Sequence, residues 1–502
     1  MKTPVKSKSK ISLYLMLIML ATVTQACYSK ANTVKNVLKP DTATINVKTA
    51  GAAGNGTQDD YAPIAKALSQ TTGPVKVYFP AGTYLLKRTL STAHDGTVFT
   101  FDKNAKFIID DSSKGGILIH HNNCKVLNGH FIGSGISSKK FGDGYGILLS
   151  GAANCQVLNN TFDKISGINV LLLNSGATGC TKCVINGNTI IEPAMDRAIV
   201  QDAAGVMIGY SGNGYSHTDN SVCYNTIDGN ENLAHGVAII GHASGTNISH
   251  NNVKNCLRYG ILAYNSIYTP ITLKNTTINY NKVDNIGNRK SASPYGMGIY
   301  LMQSHYSTVK GNTVSNTLIN TDNSETLPSG AIALNFSTYA NVDSNVITDS
   351  HKYGISMALG FNSKITNNTI DKTIESGIYL INSNDVLVQK NTLRNIGKYN
   401  IKGFFQHTSR PSSNAINIDK YKNSSTGQSI DIEDNDFYSD NDKAISITGE
   451  KGDDAKNIRG NKTQNVNISK NNFHMKRHAV DFIHLDQQDN GTNKVLDNKI
   501  TP

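Results

Sequence analysis

The sequence predicts an all-β solenoid. Short parallel strands wind through about thirteen stacked coils, and one short helix closes the N-terminal end. Three observations predict it. An aliphatic residue, two residues, Asn, one residue and an apolar residue recur in that order. They do so at Val157 to Phe162, Ile185 to Ile190, Val222 to Ile227, Ile248 to Val253, Ile278 to Val283 and Val309 to Val314. The motif continues at Val342 to Ile347, Ile365 to Ile370, Val388 to Leu393, Ile432 to Phe437, Ile468 to Phe473 and Val495 to Ile500, with a first copy at Val126 to Phe131 that has Gly129 for Asn. A second pattern, a small residue followed by alternating apolar residues, runs between the copies, as in Gly236-Val-Ala-Ile, Gly260-Ile-Leu-Ala and Gly298-Ile-Tyr-Leu. The tightest interval is 23 residues, from Asn345 to Asn368 to Asn391. Period-two alternation argues strands, and a short fixed repeat argues one coil per copy. A single coil cannot bury its inward face, but stacked coils can, and inward Asn side chains can hydrogen-bond from coil to coil. Thirteen coils at about 4.8 Å each give a rod of roughly 60 Å.

Residues 1–26 stand outside this pattern. Lys2, Lys6, Lys8 and Lys10 precede a largely apolar stretch of 13 residues from Ile11 to Val23, too short for an ordinary membrane span, and Thr24-Gln25-Ala26 offers small residues for cleavage. The segment reads as a secretory signal. Cys27 follows it directly and resembles the anchored cysteine of a bacterial lipoprotein, so the expected location is the periplasm, the outer membrane by a lipid anchor, or the medium. Residues 27–45 read as a linker, 46–110 as an N-terminal capping segment with the first coils, and 111–502 as the solenoid. Within the capping segment, Asp59 and Asp60 precede Tyr61-Ala-Pro63, which predicts a capped helix near 61–69 that covers the open end of the first coil.

Composition narrows the function. The chain has 502 residues, seven cysteines and a formal charge of +11. Seven cysteines are too few for a disulfide scaffold. Cys124, Cys155 and Cys183 each lie two residues before the aliphatic of their coil and should stack inward, as a reduced ladder or, at one coil's spacing, a disulfide. Cys180 and Cys183 lack a second pair or flanking His, so no metal site is expected. No motif indicates a cofactor, although calcium stays open because acidic side chains are present. No basic run interleaved with aromatics appears beyond the N-terminus, which argues against a nucleic-acid partner. Removing the four signal lysines from +11 leaves +7, which suits a polyanionic partner.

The repeats and the segment from Gly54-Asn-Gly-Thr-Gln-Asp59-Asp60 through Val75-Lys-Val-Tyr-Phe79-Pro80-Ala-Gly82-Thr-Tyr84 resemble the pectate-lyase-like superfamily over about residues 45–500. That resemblance implies a right-handed parallel β-helix and places the chain among polysaccharide enzymes and tailspikes, whose substrates lie along an outer face. The residue before each small-residue strand start should point outward, which puts Arg197, His235 and Tyr259 in one row, with Arg258 beside it. These four are the catalytic candidates. The expected reaction is β-elimination on a uronic-acid-containing polysaccharide: a cation neutralises the carboxylate, a base takes the C5 proton and an acid protonates the leaving oxygen. Tyr264 and His242, predicted with Asp202 to share a second row, together with Tyr300, join the substrate-binding candidates. So do Tyr210 and His217, on the connection 201–220 that is expected to wall the row.

Other readings stay open. Asn230 to Gly236 is similar to a coil of alginate C5-epimerases, whose Asp-Pro-His-Asp-type motif has here only the partial counterpart Tyr215-Ser-His217-Thr-Asp219. His235-Gly-Val-Ala-Ile is similar to a coil of polygalacturonases, whose paired Asp and Arg-Ile-Lys motifs are missing. A hydrolase built on Asp196, Asp202 or Glu231 is a further alternative, as is a non-enzymatic glycan-binding surface rod.

Overall fold

The computed structural model describes residues 42–110, 115–134, 144–176, 178–193, 203–209, 216–266, 273–287, 296–317, 329–405, 429–439, 444–449, 465–475, 483–485 and 493–501. Three parallel sheets enclose one interior. Sheet A has 16 strands, from Ala43–Asn46 to Lys494–Leu496; sheet B has 16, from Asn55–Asp59 to Lys499–Thr501; sheet C has 14, from Leu90–Ser91 to Ile483–Leu485. The chain visits C, A and B in turn, so each circuit is one coil of a parallel β-helix. In the central coils a fourth sheet of four two-residue strands, His217–Thr218, Ala243–Ser244, Leu273–Lys274 and Ser304–His305, spans the corner between C and A. Sheet A has more strands than the thirteen motif copies because Ala43–Asn46, Val75–Phe79 and Val98–Phe101 precede the first copy and carry no ladder residue.

Alternation decides the interior. The aliphatic that opens each motif is the inward residue of its sheet A strand, and Val157, Ile185, Val222, Ile248, Ile278 and Val309 are all fully buried. Each such burial is worth roughly 1.5–3 kcal/mol. The motif asparagines form the ladder that the pattern predicts. Asn160 Nδ2 donates to Asn188 Oδ1 at 3.0 Å, Asn188 to Asn225 at 2.9 Å, and the chain of bonds continues to Asn471 and Asn498 at 3.0 Å. The backbone N–H of each rung donates to the same oxygen, as Asn345 does to Asn368 at 2.9 Å. A buried amide corner is thereby satisfied coil after coil.

The tight corners need left-handed residues. The residue before each ladder position has positive φ: Asn128, Asn159, Gly187, Tyr224, His250, Tyr280, Gly311, Ser344, Asn367 and Lys390 all do. A second such row, at the start of the sheet A strands, includes Asn123, Asn154, Asp219, Asn275, Tyr306, Tyr339 and Asn362. Gly and Asn tolerate this region, whereas a bulky side chain there costs about 1–3 kcal/mol. Three of the aromatic residues stack as Tyr224–His250–Tyr280, with centroid separations of 4.7 and 5.3 Å; the other two stack as Tyr306–Tyr339 at 4.7 Å. At about 0.5–1.5 kcal/mol per stacked pair, beyond the apolar area the rings cover, these contacts offset part of that cost.

The helix runs from Tyr61 to Ser69 and buries Ile64 and Leu68 against the first coils. Asp60 occupies its N-cap, but the carboxylate turns back to accept from the N–H groups of Ala53 at 2.6 Å and Gly54 at 3.3 Å. Asp59 instead accepts from Tyr61 N–H at 3.1 Å, so both aspartates serve structure. Cys124, Cys155 and Cys183 do stack inward, buried and as free thiols; Cys124 N–H points at Cys155 Sγ at 3.4 Å.

Candidate functional site

The outer face of sheet C carries the aromatic and cationic side chains that the small-residue pattern selects. His235 and Tyr259 open the strands His235–Ile240 and Tyr259–Tyr264 and lie in register, and Tyr259 is in register with Met297. Val237, Ile261 and Ile299 lie in the interior, and strict alternation would turn the residues two before them inward as well. Gly236 and Gly260 interrupt the alternation: a Cβ there would meet interior Val253 and Val283, and Tyr259 packs with Leu262 and Tyr300 in a cluster outside the coil. Their rings stack at 5.3 Å and 10°. Tyr259 stacks in turn on Tyr300 of the following coil, at 5.2 Å and 28°. Tyr300 is held at its hydroxyl, which accepts from Asn335 Nδ2 at 3.2 Å and donates to Met302 Sδ at 3.3 Å. The Arg258 guanidinium carbon lies 5.7 Å from the Tyr259 ring centre, a cation–π contact.

The cluster sits deep for an outer face. His235 is 1% exposed, Tyr259 and Tyr300 6% each, within a second apolar cluster that includes Met207, Ala238, Leu262, Met297 and Met302. Arg258 is half-buried and Tyr264, at the end of the same strand, is exposed. The arrangement therefore joins a cation near the surface to a phenol and an imidazole in a largely dry setting, where each polar interaction counts for more than in water.

Several expectations are corrected. The residue in register with His235 on the preceding strand is Ala204, the place expected for Arg197. Arg197 and Tyr210 lie outside the described residues, as do Asp196, Asp202 and Cys27. Tyr264 is in register with Ile240 and Met302, not with His242 or Asp202. His242 sits at the corner beyond that strand, where its carbonyl accepts from His217 N–H at 3.0 Å. His217 is not part of an outer wall. It points into the coil, 1% exposed, with Nδ1 accepting from Cys180 N–H at 3.1 Å, and burial pushes it down to about 4. His217 occupies the inward position five residues before the motif aliphatic, the place held by Cys180, Ala243, Leu273 and Ser304 in neighbouring coils.

A second cluster on sheet C lies farther along the rod. Tyr353 and Tyr379 stack at 4.5 Å, Lys352 Nζ lies 5.5 Å from the Tyr353 ring centre, and Lys402 Nζ lies 5.4 Å from that of Tyr379. Burial lowers the Lys352 ammonium and raises the Tyr353 and Tyr379 phenols from their ordinary values. Tyr379 was legible: Gly-Ile-Tyr-Leu occurs at Gly298 and again at Gly377, which puts Tyr300 and Tyr379 at equivalent outward positions. Among the described residues no group of three or more His, Cys, Asp or Glu is placed to hold a metal ion.

Comparison with known proteins agrees with this architecture. The family described as "Right handed beta helix region" matches residues 235–416, and "Rhamnogalacturonase A/epimerase, pectate lyase-like" matches residues 44–283. The chain belongs to the pectate-lyase-like superfamily of right-handed parallel β-helices. No curated protein matches it. Among solved structures it resembles the surface protein and adhesin PfbA of Streptococcus pneumoniae, with 14% identity and a TM-score of 0.54 over 72% of this chain and all of that one. It also resembles the Dettilon tailspike protein, with 16% identity and a TM-score of 0.50 over 69% of this chain and 66% of that one. At these identities the likeness is one of fold.

Proposed function

We propose that the protein is an exported enzyme that cleaves a uronate-containing polysaccharide by β-elimination on the outer face of sheet C. The observation that carries this reading is the contact of Arg258 with Tyr259 and of Tyr259 with His235. Arg258 would neutralise the C6 carboxylate and so acidify the neighbouring C5 proton. One of Tyr259 and His235 would take that proton while the other supplies one to the leaving oxygen. The C5–H and C4–O bonds break, a C4=C5 double bond forms, and the product is an unsaturated uronate. Family membership supports a polysaccharide as substrate, and the positive charge supports an acidic one.

The test is incubation of the purified protein with a panel of acidic polysaccharides, followed at the absorbance of the unsaturated uronate. A rise that needs Tyr259 supports the reading. New reducing ends without that absorbance would instead mean hydrolysis, and inversion at C5 without cleavage would mean epimerisation. Binding without any change in the polymer would leave a glycan-binding rod.

A further inference from the structure

Five consecutive strands of sheet A are bordered by exposed aromatic residues. Tyr224, His250 and Tyr280 follow the strands Ser221–Cys223, Asn247–Ser249 and Thr277–Asn279; Tyr306 and Tyr339 precede Thr308–Lys310 and Asn341–Asp343. The series climbs one border of the sheet for three coils and continues on the other border for two. All five residues have φ between 53° and 57°, where the flanking coils use Asn, Asp, Ser, Lys or Gly. Tyr224, Tyr280, Tyr306 and Tyr339 are 41–57% exposed, so the core does not require them. Side chains held against the backbone preference and left in water point to a use outside the fold.

The strip between the borders indicates what that use is. Thr277, Asn279, Thr308 and Asn341 alternate with fully buried Ile278, Val309 and Val342 and therefore face outward, half-buried. The charge on the middle of the strip is paired, Lys310 Nζ lying 2.9 Å from Asp343 Oδ2, while exposed Lys274 and Lys364 lie toward its edges. Burial also lowers His250 from its ordinary value, which favours its neutral form. Tyr280 leans over Gly311, where a Cβ would collide with the ring. Apolar rings beside neutral hydroxyls and amides, with the central charge paired, match the C–H faces and hydroxyls of a pyranose chain. Five coils at about 4.8 Å offer a track for several sugar units.

We propose that this strip of sheet A is a second polysaccharide-binding surface, separate from the sheet C cluster, which grips a glycan strand by ring contacts and hydrogen bonds and does not read its charge. It would hold the polymer on one side of the rod while another side acts on it, and it stands whether or not the chemistry is β-elimination.

The test is electrophoresis of the full chain through native gels cast with polygalacturonate, alginate or a neutral galactan, together with thermal melting. Wild type should be retarded by at least one polymer, and should stay retarded at about 0.5 M NaCl, where exposed charges are screened within a few ångströms. Combining Tyr280→Asn with Tyr306→Asn should weaken retardation at least about tenfold, whereas Lys372→Asn, at an exposed position on sheet B, should leave it in place. Because Asn accepts a left-handed backbone, the double variant should melt no lower than wild type. The proposal is overturned by wild-type binding in the double variant, by retardation that salt or Lys372→Asn abolishes, or by no retardation in any gel. A lower melting temperature would show that the rings serve the fold. Loss of a dimer in sedimentation would show that a second copy seats there.

Discussion

His235 and Tyr259 stand in register on adjacent strands of sheet C, with ring centres 5.3 Å apart and planes within 10° of parallel. The contact fixes both rings and leaves the phenol of one beside the imidazole of the other. It also makes His235→Ala a poor test, because deleting a ring that is 1% exposed leaves a cavity.

Tyr259→Phe keeps the stack and removes only the hydroxyl. It should lower turnover on a cleaved polymer by roughly 10²-fold with an unchanged melting temperature, and His235→Gln should do the same. Tyr353→Phe, in the second cluster, should be mild. Full activity in both Tyr259→Phe and His235→Gln would move the chemistry elsewhere, with the coils around Tyr353 and Tyr379 next in line.

Arg258→Ala should act on binding and on rate. The Michaelis constant for an acidic polymer should rise, the maximal rate should fall because the C5 proton is no longer acidified, and the difference in Michaelis constant from wild type should shrink as salt is added. Initial rates at two ionic strengths decide it.

Asn345→Ala should cost about 3 kcal/mol or more in urea unfolding. Its side chain donates to Val309 O and Asn368 Oδ1, each at 2.9 Å, and accepts from the backbone and side-chain N–H groups of Asn312 at 3.0 and 2.9 Å. Truncation strands several buried partners at once. A loss below about 1 kcal/mol would mean that the rungs act independently of their neighbours.

Acid should weaken the fold before the carboxylates titrate. Burial pushes His217 and His305 from 6.5 to about 4. Between those values the unfolded chain binds protons that the folded chain refuses. Stability is therefore full above about pH 6.5 and falls as pH drops toward 4, by on the order of 3 kcal/mol per histidine at most. Denaturant midpoints at pH 7 and pH 4.5 should differ, and His217→Leu should reduce the difference.

If Cys27 carries lipid, Cys27→Ser should move the protein from the membrane to the soluble fraction. An unmodified mature N-terminus in mass spectrometry would exclude the anchor.

Much of the fold was legible because one residue type recurs at one structural position. The ladder, the inward aliphatics and the helix at Tyr61–Ser69 all follow from local pattern. The site was only partly so. His235 and Tyr259 each precede a Gly and then an inward aliphatic, which fixes their register. Arg197-Ala-Ile-Val and Ala204-Gly-Val-Met satisfy the same small-then-apolar rule, and only the coil's stacking selects the second. His217 was misplaced because a two-residue strand is too short to show alternation. Counting five residues back from Val222 would have put it inside.

The Asn ladder also determines where this chain can change length. Successive rungs are 23 residues apart between Asn345 and Asn368 yet 44 apart between Asn391 and Asn435, with the same 2.9–3.0 Å bonds between them. One corner of each coil is thus pinned like the spine of a book, and additional chain must emerge at the other corners. Extra residues there disturb neither the register above nor the one below. New walls beside the sheet C cluster can therefore be acquired, lost or grafted without re-forming the rod.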